Sequence, residues 1–204
     1  MLFEQPSCDY RRCGCKKNSL VNFYPEVKLL WFEIPKCASS YIRTHFKLQH
    51  KVIPRDKIEA YLQQSESFAV VRNPWDRVWS NYRMLTNERV GLRDNMFPEL
   101  PCGWTFDWFI RQLDQHPNHH WRPCSEYLPR DKKGCVLLDQ VDHIFYFEHL
   151  KPLFAWLKKK SYRDLNFVVH RKNTKPYREQ YTPETRDIVA KLFKQDIDTF
   201  EYKF

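Results

Sequence analysis

Lys36, Ser39 and Ser40 stand together in the run Leu29-Leu30-Trp31-Phe32-Glu33-Ile34-Pro35-Lys36-Cys37-Ala38-Ser39-Ser40. Residue types and spacing there are those of an anion trap. The apolar residues Leu29 to Phe32 predict a strand, the stretch from Tyr41 to about Lys47 predicts a helix, and a tight turn joins them. In such a unit the free N–H groups of the first helical turn point at the ligand, and the helix dipole favours negative charge. Lys36 adds a point charge, while Ser39 and Ser40 add hydroxyl donors. A Walker loop is a poor match, because it needs glycines and ends in Gly-Lys-Ser/Thr. There is no glycine between Lys16 and Arg89, and Cys37 stands where the Mg²⁺-binding hydroxyl would follow the lysine. The same residues also fit an ordinary strand-to-helix connection capped by a serine.

A second strand–helix unit follows. Phe68-Ala69-Val70-Val71 is short, apolar and β-branched, the pattern of a buried strand in a parallel sheet. In Arg72-Asn73-Pro74-Trp75-Asp76-Arg77-Val78-Trp79-Ser80, Asn73 can cap a helix and Pro74 suits its first position. Trp75, Val78, Trp79, Tyr82 and Leu85 then recur at helical spacing. Arg72 therefore sits at the carboxyl end of a strand, where open α/β sheets bind ligands. Arg77 and Ser80 fall on one face of the helix.

Two anion sites on successive strand–helix units, without a Walker loop, resemble the sulfotransferases that use 3′-phosphoadenosine 5′-phosphosulfate (PAPS). Pro35-Lys36-Cys37-Ala38-Ser39-Ser40 is similar to the family's Pro-Lys-x-x-Ser/Thr-Ser/Thr turn, and Arg72 with Ser80, eight residues later, is similar to its 3′-phosphate pair. The wording Val71 to Arg77 looks like the carbohydrate branch, or family 2, of these enzymes. His120-Trp121-Arg122-Pro123 resembles a His-Trp-x-Pro element of that branch, and Asp142 to Leu150 its late strand ending in Glu-x-Leu. Tyr181 to Arg186, with Asp196 and Phe200-Glu201-Tyr202, resembles its terminal helix. The likeness runs from about Leu29 to Tyr202.

The resemblance implies a sulfotransferase moving a sulfuryl group from PAPS to an acceptor hydroxyl, with a carbohydrate as the expected acceptor and no metal. It implies that Pro35, Lys36, Cys37, Ala38, Ser39 and Ser40 hold the 5′-phosphosulfate, with Lys36 also catalytic at the leaving oxygen. Arg72 and Ser80 would hold the 3′-phosphate. Lys172 and Thr174 would lie in a C-terminal loop closing over the nucleotide, although a merely basic loop has the same composition. A base must take the acceptor's proton, and histidine suits this. His50 is the first choice, following the phosphosulfate helix; His120 comes next, and Glu59 or Glu66 are carboxylate alternatives.

The elements that must position these groups alternate between strand and helix. This argues an α/β fold, three-layer α/β/α with a central parallel sheet, and the resemblance implies a P-loop-like sulfotransferase core. Residues 1–27 read as a poorly patterned N-terminal arm and residues 28–204 as the sulfotransferase domain. Arg55 to Gln64 reads as a short helix, Thr105 as a cap for a helix burying Phe106, Phe109, Ile110 and Leu113, and Val141 to Phe147 as the third core strand. His149 to Lys160 and Pro183 to Tyr202 read as helices, and His116 to Gly134 as a loop long enough to line an acceptor.

With 34 basic against 25 acidic residues, the formal charge of +9 favours anionic partners. Residues 151–180 concentrate it, with nine Lys/Arg against two Asp/Glu. No apolar run approaches the ~18 residues a membrane span needs, and no signal-peptide pattern opens the chain. A soluble protein is expected, cytoplasmic or a Golgi-lumen domain without its anchor. Of seven cysteines, Cys8, Cys13 and Cys15 cluster without a nearby fourth metal ligand, and Cys124 and Cys135 are close enough in sequence to pair. Two other readings stay open. A nucleic-acid-binding module would use the basic and aromatic surface, but no recognition motif supports it. A nucleotide kinase on a related core would need ATP and Mg²⁺, and lacks Gly-Lys-Ser/Thr.

Overall fold

A computed structural model of the chain describes residues 21–86, 104–115, 118–131, 133–161 and 176–204. Expectations for Cys8, Cys13, Cys15, Lys172 and Thr174 fall outside the described residues. The described chain forms two compact units. One takes in residues 21–72 and 124–161, the other residues 73–123 and 176–204.

The first unit holds a five-stranded sheet: β1 (Val21–Tyr24), β2 (Leu29–Phe32), β3 (Lys51–Val52), β4 (Glu66–Val71) and β5 (His143–Tyr146), in the order β3-β1-β2-β4-β5. Its helices are α1 (Ser39–His45), α2 (Ile58–Leu62) and α5 (Leu150–Ser161). β2, β4 and β5 run parallel, as the alternation of strands and helices predicts. The sheet as a whole is mixed rather than parallel, because β1 is antiparallel to both β2 and β3. The cause is local. β1 and β2 are joined only by a 3₁₀ turn, Pro25–Val27, and Lys28, whose φ of 48° is left-handed. So short a link cannot carry a parallel crossover. β1 lies within the stretch read as an arm; its Val21, Asn22 and Tyr24 are buried. Every residue of β2, and of β4 from Ser67 to Val71, is buried, so both faces of the sheet are covered there.

Register between β4 and β5 is pinned at their amino ends. Ser67 donates both its amide and its hydroxyl to Asp142 Oδ2, at 2.7 Å each, and the Asp142 amide donates to Ser67 Oγ at 3.0 Å. The pairing Val71↔Tyr146 follows and sets the carboxyl ends of the two strands level.

The second unit is helical: α3 (Pro74–Thr86), α4 (Phe106–Arg111), α6 (Pro183–Leu192) and α7 (Lys194–Phe200). Asn73 caps α3 by accepting from the Trp75 amide at 3.1 Å, and its side-chain amide donates to the Lys203 carbonyl at 2.9 Å. Thr105 caps α4 through the Trp108 amide, and Thr182 forms a capping box with Thr185 at the start of α6. Trp75, Val78, Leu85, Phe109, Ile110, Leu113, Val189 and Phe193 form a largely aromatic and branched core. Periodicity over Pro183 to Tyr202 predicts one helix; the structure breaks it at Phe193, where ψ is 24°. Val189, Phe193 and Phe200 stay buried across the break, so the apolar spacing runs through it unaltered.

The loop after α4 is strapped onto α3 rather than left open. Arg77, 1 % exposed, donates to the carbonyls of His120 and Arg122, and Asn81 donates to the His120 carbonyl at 3.0 Å. Burial, with the nearby charges of Arg122 and Arg77, pushes the pKa of His119 from 6.5 down to about 4.

Two predictions follow from this packing. Ile110→Ala removes a fully buried side chain and is expected to cost about 2–5 kcal/mol, read as a lower urea midpoint for the helical unit. The folded pKa of His119 lies below its unfolded value, so the unfolded chain takes up the proton first. Its contribution to stability is complete above pH 6.5 and is lost as the pH falls to about 4. Urea titrations across that window should show the decline, and His119→Gln should flatten it.

Candidate donor site

At the carboxyl end of β2 the chain continues through buried Glu33, Ile34 and Pro35 into the turn. Lys36 and Ala38 both adopt left-handed backbone, with φ of 68° and 62°. Glycine is the usual occupant of such positions, and other residues there cost about 1–3 kcal/mol each. Cys37 lies between them, its amide bonded to the Ile34 carbonyl at 3.2 Å and its side chain buried beside Cys124. Of Cys37, only the backbone therefore faces a ligand role. Ala38 is the N-cap of α1 and offers no side-chain cap; its carbonyl accepts the first helical bond, from Ile42, at 2.9 Å. Ser39 and Ser40 are the first two residues of α1, half-buried and exposed respectively. Amides at those positions have no acceptor within a helix.

The turn is held from two sides. Glu33, 3 % exposed, accepts from Asn22 of β1 at 2.9 Å and from the Nε of Arg43 on α1 at 3.1 Å, with a further ion pair to Arg43 Nη2. One carboxylate thus ties β1, the end of β2 and α1 together across the turn. From the neighbouring strand, Arg72 follows β4 and its Nη1 donates to the Lys36 carbonyl at 2.8 Å. The guanidinium lies 3.8 Å from the ring centre of Phe147, the residue after β5. Lys36, Arg72 and Phe147 therefore meet at the carboxyl ends of three parallel strands. A cation braced against an aromatic face and a backbone carbonyl keeps its orientation.

The remaining candidates are dispersed. Ser80 is half-buried on α3, in the helical unit, eight residues along the chain from Arg72. His120 belongs to the strapped loop of the same unit. His50 is exposed and lies just before β3; its ring is 5.5 Å from that of Tyr24. Since β3 pairs Lys51 with Phe23, and β1 pairs Tyr24 with Leu29, the register places His50 level with the amino end of β2, not with the turn. Glu66 is also at the amino pole, paired with Leu29 in register. Burial tends to raise its pKa, but bonds to Lys160 and to His143, the latter 2.6 Å long, outweigh burial and hold the carboxylate below its ordinary range. Glu59 is exposed on α2.

Sequence reasoning overlooked Glu33 and Phe147. Glu33 directly follows the apolar run Leu29 to Phe32, and an acidic residue there had to find a partner once buried. Phe147 stands inside the Asp142–Leu150 stretch, but nothing in its type announced that a guanidinium would lie against it. Glu148 and His149 continue from Phe147 into a 3₁₀ turn at the same pole, His149 exposed. Among the described residues no group of three or more His, Cys, Asp or Glu side chains could hold a metal ion, and no helix is long and apolar enough to cross a membrane.

A family model described as the sulfotransferase family matches residues 21–203. No curated protein and no solved structure matches the chain. The matched span begins with β1 and ends in the residues after α7, so it takes in both units and every element that bears on the turn. The chain belongs to the sulfotransferase family, in its family 2 branch.

Proposed function

We propose that the chain transfers a sulfuryl group from PAPS to a hydroxyl of a carbohydrate acceptor. The observation that carries this reading is the left-handed turn Pro35–Ser40, backed by Arg72 bonded to its Lys36 carbonyl. In the proposed complex the turn amides, Ser39 and Ser40 hold the 5′-phosphosulfate, and Arg72 and Ser80 hold the 3′-phosphate. Lys172 and Thr174 cover the nucleotide. The family's three-layer, P-loop-like core is part of the proposal, supported by the parallel strands β2, β4 and β5 and by the covered faces of the sheet. So is the division into an N-terminal arm and a sulfotransferase domain, with the boundary read between 27 and 28 moved ahead of β1, which lies in the sheet.

The chemistry asked of these groups is limited. An acceptor oxygen attacks sulfur in line, the bond from sulfur to the bridging oxygen breaks, and adenosine 3′,5′-bisphosphate leaves. The protein must align donor and acceptor and stabilise negative charge on the departing oxygen. Lys36, at the head of the turn, is assigned that charge. The base is reassigned from His50, whose register sets it at the amino pole of β2, to His149. His149 follows the Phe147 that braces Arg72, at the pole where the turn lies.

Thermal stabilisation with adenosine 3′,5′-bisphosphate, with ATP–Mg²⁺ and with an oligonucleotide tests the donor class. Selective stabilisation by the bisphosphate without metal is expected. Stabilisation by ATP only with Mg²⁺, or by the oligonucleotide with a steep salt dependence, would sink the reading. Lys36→Ala is expected to lower kcat by about 10²–10³ while leaving bisphosphate binding measurable. Arg72→Ala should weaken the bisphosphate more than adenosine 5′-monophosphate, with some loss for both because Arg72 also holds the turn. His149→Ala should slow transfer by about 10²–10⁴ without changing donor affinity, and His50→Ala should leave both near the parent values. The reverse pattern returns the base to His50.

A further inference from the structure

Cys37 and Cys124 lie far apart in sequence, yet their sulfurs are 4.0 Å apart. Both side chains are buried, at 1 % and 0 % exposed, and neither is in a disulfide. Cys135, the partner that spacing offered to Cys124, is exposed instead. Four ångströms is van der Waals contact between sulfurs, whereas a disulfide holds them about 2 Å apart. Closing the gap therefore needs an approach of about 2 Å, by rotation at the two side chains together with a shift of the turn. The turn is where that shift is felt, because Cys37 is flanked by the two left-handed residues Lys36 and Ala38. Cys124 opens a short 3₁₀ helix, Cys124–Tyr127, in the same unit.

We propose that Cys37 and Cys124 form a reversible disulfide that switches the donor turn off. The oxidant is a peroxide, whose small size suits a buried pair. One thiolate attacks a peroxide oxygen, the O–O bond breaks, water is released and a sulfenic acid forms. The second thiol displaces the sulfenic oxygen as a further water, and the S–S bond forms. In sum, two thiols and hydrogen peroxide give one disulfide and two waters; the thiols lose two electrons and the peroxide gains them. A dithiol reductant reverses the bond by exchange. The bond is independent of the donor assignment, but its effect on the nucleotide rests on the donor reading of the turn. Drawing Cys37 toward Cys124 moves the backbone of Lys36 and Ala38 out of the geometry fixed by Arg72 and by the Cys37 amide. A displacement of about 1 Å at such a site can cost 10²-fold.

The test uses the full chain. After treatment with hydrogen peroxide and alkylation, non-reducing peptide mapping is expected to find Cys37 linked to Cys124. Affinity for adenosine 3′,5′-bisphosphate should fall at least about tenfold and return with dithiothreitol. In Cys124→Ala the reduced-state affinity should match the parent, and peroxide should no longer lower it. Absence of the linked peptide overturns the proposal, as does a linked peptide with unchanged affinity. So does an equal peroxide effect in Cys124→Ala, which would place the sensitivity at another cysteine. Should that variant fail to fold, the peptide map and reversal by dithiothreitol in the parent chain decide the matter. If the fully reduced parent does not bind the bisphosphate at all, the donor reading fails, and the map alone decides the bond.

Discussion

The hydrogen bond from Arg72 to the Lys36 carbonyl joins the ends of two neighbouring parallel strands, and the rest of the site is arranged around it. A carbonyl that accepts from a guanidinium cannot rotate away without leaving a charge poorly solvated, so the bond holds the left-handed conformation of Lys36 in place. Glu33 does the same from the other side, by fixing α1 through Arg43. Strain at two residues without glycine persists only where the surroundings over-determine it. Here a strand partner, a buried carboxylate and a helix start supply that determination. The relation is reciprocal: removing either brace loosens the turn as a whole, so a change at Arg72 is felt at Lys36 as well.

Upstream of this bond lies the register of β4 and β5. The bidirectional pairing of Ser67 with Asp142 fixes it at one pole, and its consequence appears at the other, where Arg72 meets Phe147. A one-residue slip would exchange the faces of β5 and move Phe147 from beneath the guanidinium. Stability and site geometry are thus set by one set of contacts. The helical unit contributes differently: Arg77 spends its charge on two backbone carbonyls of the loop that carries His120, making that loop a fixed part of α3's surroundings.

Much of this was legible in the sequence, for reasons that can be stated. The turn announced itself because Lys36, Ser39 and Ser40 follow a strand pattern and precede a helix pattern. Asn73 and Thr105 announced their helix starts through capping chemistry, and the apolar spacing of α3 and α4 survived into the core. What was illegible depended on contacts distant along the chain. The antiparallel β1 was hidden because four residues carry too little alternation to declare a strand. His50 was favoured by its order in the sequence, but the fold of β3 back onto β1 decides which pole it occupies. The break at Phe193 was invisible because burial on both sides of it kept one apolar phase.

The turn's composition then acquires a physical reading. Glycines would allow the left-handed positions at little cost, but would also let the turn relax into other conformations. Lysine and alanine pay a steric penalty at those positions and restrict the unfolded chain more than glycine does. The turn is therefore stiff when its braces are intact, and its geometry is sensitive to any force applied at Cys37, the residue between the two strained positions. A buried sulfur in contact with another buried sulfur is a chemistry able to apply such a force covalently. The stiffness of the turn and its sensitivity to a force at Cys37 come from the same backbone.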